Sequence, residues 1–303
     1  MAQAIPAAVR ALAFLCALPL AALAQSAPPK AATPAAGYLG WERCQSCHAE
    51  LFRNFDATPH WKTTLAARGR PGLGCESCHG PGKEHGDSLG DPRKIAGFKK
   101  LTPAQVAARC LECHQYGEEH ANFRRSAHRS ANVTCLDCHS VHHFAEKQYL
   151  LRAAQPQLCY GCHRRAQAEF ARPFHHRVDE GLVKCTECHN QHGGFLTRQL
   201  RSTAAQEAVC GKCHAETVGP FVFEHAPQKT EGCGACHAPH GSVNPRLLRR
   251  SQVNQLCLEC HTATRGASVR GTPAFHNQDQ AFQACTLCHV SIHGSNASAV
   301  LLK

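Results

Sequence analysis

Apolar residues are concentrated at one end of the chain and thinly spread elsewhere. Residues 11–24, ALAFLCALPLAALA, form a continuous apolar run with Arg10 before it and Ala22-Leu23-Ala24 at its exit. A charged start, an apolar middle and a small-residue exit predict a cleavable secretory signal over residues 1–24. Leu15 stands before Cys16 where a lipid-attachment signal needs a small residue, so no lipid anchor is expected. The run is too short for a membrane span and no later stretch qualifies, so the mature chain is expected to be soluble, exported and without a transmembrane helix of its own. Residues 25–40 begin QSAPPKAATPAAG and read as a Pro/Ala tether. Beyond it, no segment shows the alternation of a half-buried strand. Thr102-Pro103-Ala104-Gln105 combines an N-cap, a first-turn proline and a capping-box glutamine, which predicts a short helix running on through His114. Similar short helices are expected before related segments, with Gly and Pro punctuating the rest.

This pattern supplies no ordinary core, and the cysteines explain how the chain manages without one. Of 21 cysteines, twenty fall into ten copies of Cys-x-x-Cys-His. The first five are Cys44, Cys47 and His48; Cys75, Cys78 and His79; Cys110, Cys113 and His114; Cys135, Cys138 and His139; and Cys159, Cys162 and His163. The second five are Cys185, Cys188 and His189; Cys210, Cys213 and His214; Cys233, Cys236 and His237; Cys257, Cys260 and His261; and Cys285, Cys288 and His289. A disulfide framework requires no histidine after each second cysteine. Zinc sites of four cysteines would leave the ten histidines unexplained. The pattern is that of c-type haem attachment, in which two thiols form thioethers to the porphyrin and the adjacent histidine ligates iron from one face. Ten covalent haem c groups, each with its iron, are therefore expected.

The second axial ligand follows from counting. The single methionine is Met1, which leaves with the signal, and every mature thiol is committed. Twenty-three histidines less ten in the motifs leave thirteen: His60, His85, His120, His128, His142, His143, His175, His176, His192, His225, His240, His276 and His293. The motifs alternate between a kind with a Leu/Arg/Gln-rich approach and a kind with one histidine before it and another soon after, giving five modules that begin at Cys44, Cys110, Cys159, Cys210 and Cys257. Upstream ligands are then His60, His128, one of His175 and His176 (His175 taken as representative), His225 and His276. Downstream ligands are His85, one of His142 and His143 (His142 taken), His192, His240 and His293. On a helix, His189 and His192 would share a face, so His192 is expected to reach a neighbouring haem and not its own. Gly86, Gly193, Gly241 and Gly294 follow four of these histidines and predict helix ends or sharp turns.

Charge changes the picture little. The formal net charge is +11. Ten haems with two propionates each add roughly −10 oxidised and roughly −20 reduced, so the lysines and arginines read as propionate counter-charge and no nucleic acid partner is expected. The fold class expected is a multihaem cytochrome c: short α-helices and coil around an elongated row of ten haems, with little or no β.

The ten motifs, the CHxxHG units CHNQHG and CHAPHG and the approach SQVNQLCLECH resemble the MtrA/DmsE family of periplasmic decahaem cytochromes. The resemblance covers the chain from about residue 41 onward. It implies two pentahaem halves, 41–170 and 171–303, and an electron carrier in the periplasm associated with the outer membrane. It also implies insertion into an outer-membrane β-barrel porin, with periplasmic and extracellular cytochromes or other redox proteins as partners. Bis-histidine haems have no position for substrate, so a carrier and no enzyme is expected. The alternatives are a multihaem reductase of nitrogen or sulfur oxyanions, which needs an open iron, and a subunit of a cytochrome filament.

Overall fold

The computed structural model describes residues 36–66, 71–117, 120–201, 207–261 and 284–302. The signal, residues 25–35 of the tether and His276 lie outside the described residues.

Short helices dominate. The longest, Pro103–His114, has twelve residues and begins as its sequence dictates. The Gln105 N–H donates to Thr102 Oγ1 at 3.3 Å, and the Thr102 N–H donates back to Gln105 Oε1 at 2.8 Å. Two N-terminal donors are thereby satisfied reciprocally. One face of this helix buries Ala107 and Leu111 against Phe123. Thr102→Ala is expected to cost about 1 kcal/mol, measured as a lowered unfolding midpoint of the haem-loaded protein. Trp41–Cys47, Ala49–Asp56, Arg164–Phe170 and Val253–Leu258 are shorter still. Among the described residues, β structure is confined to isolated bridges and one antiparallel pair, Phe223–Glu224 with Gly294–Ser295.

The sequence repeat is also a structural repeat. In the second, third and fourth modules the second motif is followed by a single 3-10 turn, at Gln148–Leu150, Thr197–Gln199 and Pro245–Leu247. The middle residue of each is left-handed although none is glycine: Tyr149 at φ 62°, Arg198 at 59° and Arg246 at 57°. This reversal brings the chain back over its motif. The N–H groups of Arg152, Arg201 and Arg249 donate to the carbonyls of Cys138, Cys188 and Cys236, each at 2.9 Å.

Modules dock on one another. In the second, third and fourth modules the segment ahead of the second motif lies against the segment that follows the second motif of the next module. The Ala127 N–H donates to Gln199 Oε1 at 3.1 Å, and Phe174 and Ser242 exchange backbone hydrogen bonds of 3.1 and 2.7 Å. The third module straddles the expected division after Phe170; Tyr160 Oη donates across it to Asp179 Oδ1 at 2.7 Å.

Three of the glycines after the downstream histidines close the sharp turns expected of them, the N–H groups of Gly193, Gly241 and Gly294 donating to the carbonyls of Asn190, Ala238 and Ser291 at 3.0, 3.0 and 2.9 Å, and two of these also serve the docking. Gly86 lies inside the helix Lys83–Asp87. A Cβ at Gly241 would overlap the Glu169 carbonyl oxygen, and one at Gly193 would sit 2.8 Å from the Asn122 carbonyl oxygen.

Nine apolar side chains are buried among the described residues. One cluster is Tyr160, Phe170 and Val178; the other lies under the capped helix. This is far less than a chain of such length needs for an apolar core. What the fold organises is the row of histidines and cysteines.

Candidate functional site

Nine of the ten motif histidines face a second imidazole, with ring centres 6.0 to 6.4 Å apart. His48 faces His85, His79 faces His142, and His114 faces His60. His139 faces His192, His163 faces His128, and His189 faces His240. His214 faces His176, His237 faces His293, and His261 faces His225. The tenth motif histidine is His289; His276, the remaining histidine of the expected ligand set, lies outside the described residues.

The pairs follow a rule. Among the described residues, each upstream histidine reaches forward to the first motif of the next module: His60 to His114, His128 to His163, His176 to His214, His225 to His261. Each downstream histidine from the second module onward reaches back to the second motif of the module before: His142 to His79, His192 to His139, His240 to His189, His293 to His237. In the first module, which has no predecessor, His85 turns to His48 of its own module.

The helical premise for His192 does not hold. The helix Cys185–Cys188 ends before His189, which is extended at φ −110°, ψ 142°. The His192 ring nonetheless lies 6.1 Å from that of His139, in the preceding module. The other doublets resolve by contacts. His142 faces His79 at 6.3 Å, while the His143 N–H is held by Ser140 Oγ at 2.8 Å. His175 has both ring nitrogens engaged, Nδ1 with the Arg172 carbonyl at 2.5 Å and Nε2 with Glu180 Oε1 at 3.2 Å. His175 is thus engaged on both sides, whereas the His176 ring faces His214 at 6.2 Å, so of the two residues left open His176 is the one placed to serve as a ligand. His120 lies 5.4 Å from His114 and 4.5 Å from His192, beside both pairs and completing neither.

The rings are oriented through their outer nitrogens. The Nδ1–H groups of His139, His189 and His237 donate to the carbonyls of Tyr149, Arg198 and Arg246 at 2.6, 2.9 and 2.7 Å. These are the left-handed residues of the 3-10 turns, so the strained backbone serves to aim a carbonyl at the imidazole. His79 and His289 do the same with Ala96 and Val300, at 2.9 and 2.7 Å. The facing rings of His85, His128 and His176 donate to the carbonyls of Asp91, Gln191 and Pro239 at 2.8, 2.8 and 2.6 Å. Each such bond fixes the tautomer and leaves Nε2 as the donor nitrogen. Burial holds the pKa values of His60, His142, His189, His225 and His293 below the ordinary imidazole value, favouring the neutral form that can ligate.

The cysteines form a second row in step with the first. Within a module, the first cysteines of the two motifs are neighbours: Cys44 with Cys75, Cys110 with Cys135, and Cys159 with Cys185. The nearness of the two thiols pushes the first of each pair up and brings the second down to about 7. Between modules, the second cysteines are neighbours: Cys78 with Cys113, Cys138 with Cys162, Cys188 with Cys213, and Cys236 with Cys260. The alternation makes the motifs one continuous series.

This arrangement fits haem iron. A metal bonds an imidazole nitrogen at about 2 Å and the ring centre lies about 1 Å further, so two rings on opposite sides of one metal are roughly 6 Å apart. The cysteine pairs stand at the spacing of covalent haem attachment, placed to form thioethers to the porphyrin, with the ligating imidazole next to each. The orienting carbonyls were not identified from the sequence. Their signal was present in the recurrent Leu-Arg or Leu-Lys at 151–152, 200–201, 248–249 and 302–303, just beyond each turn. Nor was Glu169, whose carboxylate accepts from His240 Nδ1 at 2.9 Å and from Arg165 Nε at 2.9 Å. Burial alone would raise the Glu169 pKa, but the bonds from His240 and Arg165 prevail and lower it.

Known proteins share the pattern. The doubled CXXCH motif matches residues 128–168, 175–219 and 225–266, and the cytochrome c554 and c-prime family matches residues 88–140. The chain is 33% identical over 267 residues to the multiheme cytochrome MtrA of Shewanella baltica, covering 85% of this chain and 79% of that one. It is 23% identical to the high-molecular-weight cytochrome c of Nitratidesulfovibrio vulgaris, over 85% of this chain and 48% of the relative. It is 25% identical to the C-type polyheme cytochrome OmcC of Geobacter sulfurreducens, over 68% of this chain and 27% of the relative.

Proposed function

The chain belongs to the MtrA-type multihaem c-type cytochromes, and from that premise we propose that it is a ten-haem wire carrying electrons between the periplasm and the cell exterior through an outer-membrane β-barrel. It is an electron-transfer protein that binds haem c at its CXXCH motifs. When bound, the haems supply one-electron chemistry at bis-histidine iron. The residues of the chain hold that iron from both sides, orient the imidazoles and keep neighbouring motifs in contact.

The observation that carries this reading is the set of nine facing histidine pairs at 6.0 to 6.4 Å. A reductase needs an iron with an open side, and the pairs leave His289 as the one motif histidine whose partner falls outside the described residues. The proposed ligand set is the ten motif histidines with His60, His85, His128, His142, His176, His192, His225, His240, His276 and His293. The two pentahaem halves are then a division of haem number within a continuous series. No helix among the described residues is long and apolar enough to cross a membrane, and the proposal assigns passage across the outer membrane to the partner barrel.

The test is reconstitution with an outer-membrane β-barrel that co-purifies with the cytochrome. Liposomes loaded with a redox dye and carrying barrel plus cytochrome should exchange electrons with an external donor, and barrel alone should not. Equal rates with and without the cytochrome would sink the conduit reading. High-spin ferric signals that shift on adding nitrite or cyanide would move the protein to the reductases, and long polymers by electron microscopy would move it to the filaments.

A further inference from the structure

The pair His189–His240 differs in how its far ring is held. His85, His128 and His176 give their Nδ1 protons to neutral backbone carbonyls. His240 gives its proton to a carboxylate, Glu169 Oε2, at 2.9 Å. The contact is built and not incidental. Glu169 stands on the helix Arg164–Phe170, 71 residues away in sequence, and its side chain is 19% exposed. The segment bearing His240 is pinned to that helix end by the close approach of Gly241 to the Glu169 carbonyl. Arg172 Nη1 donates to the Gly241 carbonyl at 2.9 Å, and the Phe174–Ser242 bridge fastens the next residue. The second acid oxygen is taken by Arg165 Nε at 2.9 Å, an arginine whose side chain is 93% exposed.

A carboxylate sharing the Nδ1 proton places more negative charge on the imidazole than a carbonyl does, strengthening Nε2 as a donor. A stronger donor and a nearby anion both favour ferric over ferrous iron. We propose that Glu169 is a tuning residue for the haem held by Cys185, Cys188, His189 and His240, setting its reduction potential below those of haems whose far histidine is held by a backbone carbonyl. In a series of ten motifs this is the sixth, so the proposal places a low-potential step near the middle of the row. It rests on the ligand reading above.

The experiment is a potentiometric titration of the haem-loaded protein, followed optically and by EPR. Glu169→Gln should shift one component of the titration upward and change the g-values of one low-spin signal, with haem content unchanged. Arg165→Ala, at an exposed site, frees the carboxylate to act on His240 alone and should move the same component downward. Opposite signs from the two variants are what a purely structural role does not produce. If Glu169→Gln fails to mature, Arg165→Ala decides. Superimposable curves for every variant that matures overturn the proposal. His240→Met separates the two levels: an unchanged spectrum removes His240 as a ligand, whereas a changed spectrum with unmoved Glu169→Gln and Arg165→Ala curves rejects the tuning alone.

Discussion

Replacing His192 with methionine is expected to alter the haem on Cys135 and Cys138 and to leave the haem on Cys185 and Cys188 unchanged, although His192 lies three residues after His189. The His192 ring stands 6.1 Å from His139, and His189 is already faced by His240 at 6.0 Å. A thioether sulfur is a softer ligand than imidazole and favours ferrous iron, so the affected potential should rise on the order of a few tenths of a volt. A charge-transfer band of methionine-ligated ferric iron should accompany the rise. Assignment to a particular haem comes from two backgrounds. With Cys135 and Cys138 changed to alanine, the His192→Met shift should vanish. With Cys185 and Cys188 changed to alanine, it should persist. The reverse outcome would restore His192 to its own motif and break the rule by which the modules exchange ligands.

Gly241→Val is expected to be strongly destructive although it removes no ligand and no thiol. The new Cβ would overlap the Glu169 carbonyl oxygen, which is backbone and cannot rotate away. Overpacking of this kind costs roughly 1–3 kcal/mol. Here the strain falls on the segment that places His240, so one iron should lose its far ligand and a high-spin ferric signal should appear. Gly97→Ala provides the control, because nothing lies within 4 Å of a Cβ at that position. A Gly241→Val protein with the parent's melting curve and an all-low-spin spectrum would show that the docking of modules three and four is not what the close approach implies.

The features legible in the sequence are those fixed by local chemistry. The Cys-x-x-Cys-His units carry their own meaning, and the capping box at Thr102 and Gln105 forms as its residues require because both partners lie within one turn. The number of far ligands was legible because haem demands a count. Their pairing was not, because it depends on contacts across roughly fifty residues that no local pattern encodes. His175 and His176 show the difference. Side by side they are equivalent in sequence, and Glu180, the Arg172 carbonyl and the position of His214 separate them. The expectation for His192 rested on a helix that ends at Cys188, yet its ring stands 6.1 Å from that of His139 in the preceding module. The left-handed Tyr149, Arg198 and Arg246 were hidden for another reason: non-glycine residues carry no sequence mark of a positive φ.

The proposed ligand exchange between modules also has an order in time. A chain that emerges from its N-terminus presents His60 before His114 and His128 before His163, so on that ligand set the first haem of each of these modules would find both ligands as soon as its motif appeared. The second haem would have to wait: His139 for His192, His189 for His240. In the first four modules the second-motif iron would keep one side open to water until the following module had arrived and docked, so a chain halted midway would carry an unfinished haem at its leading end.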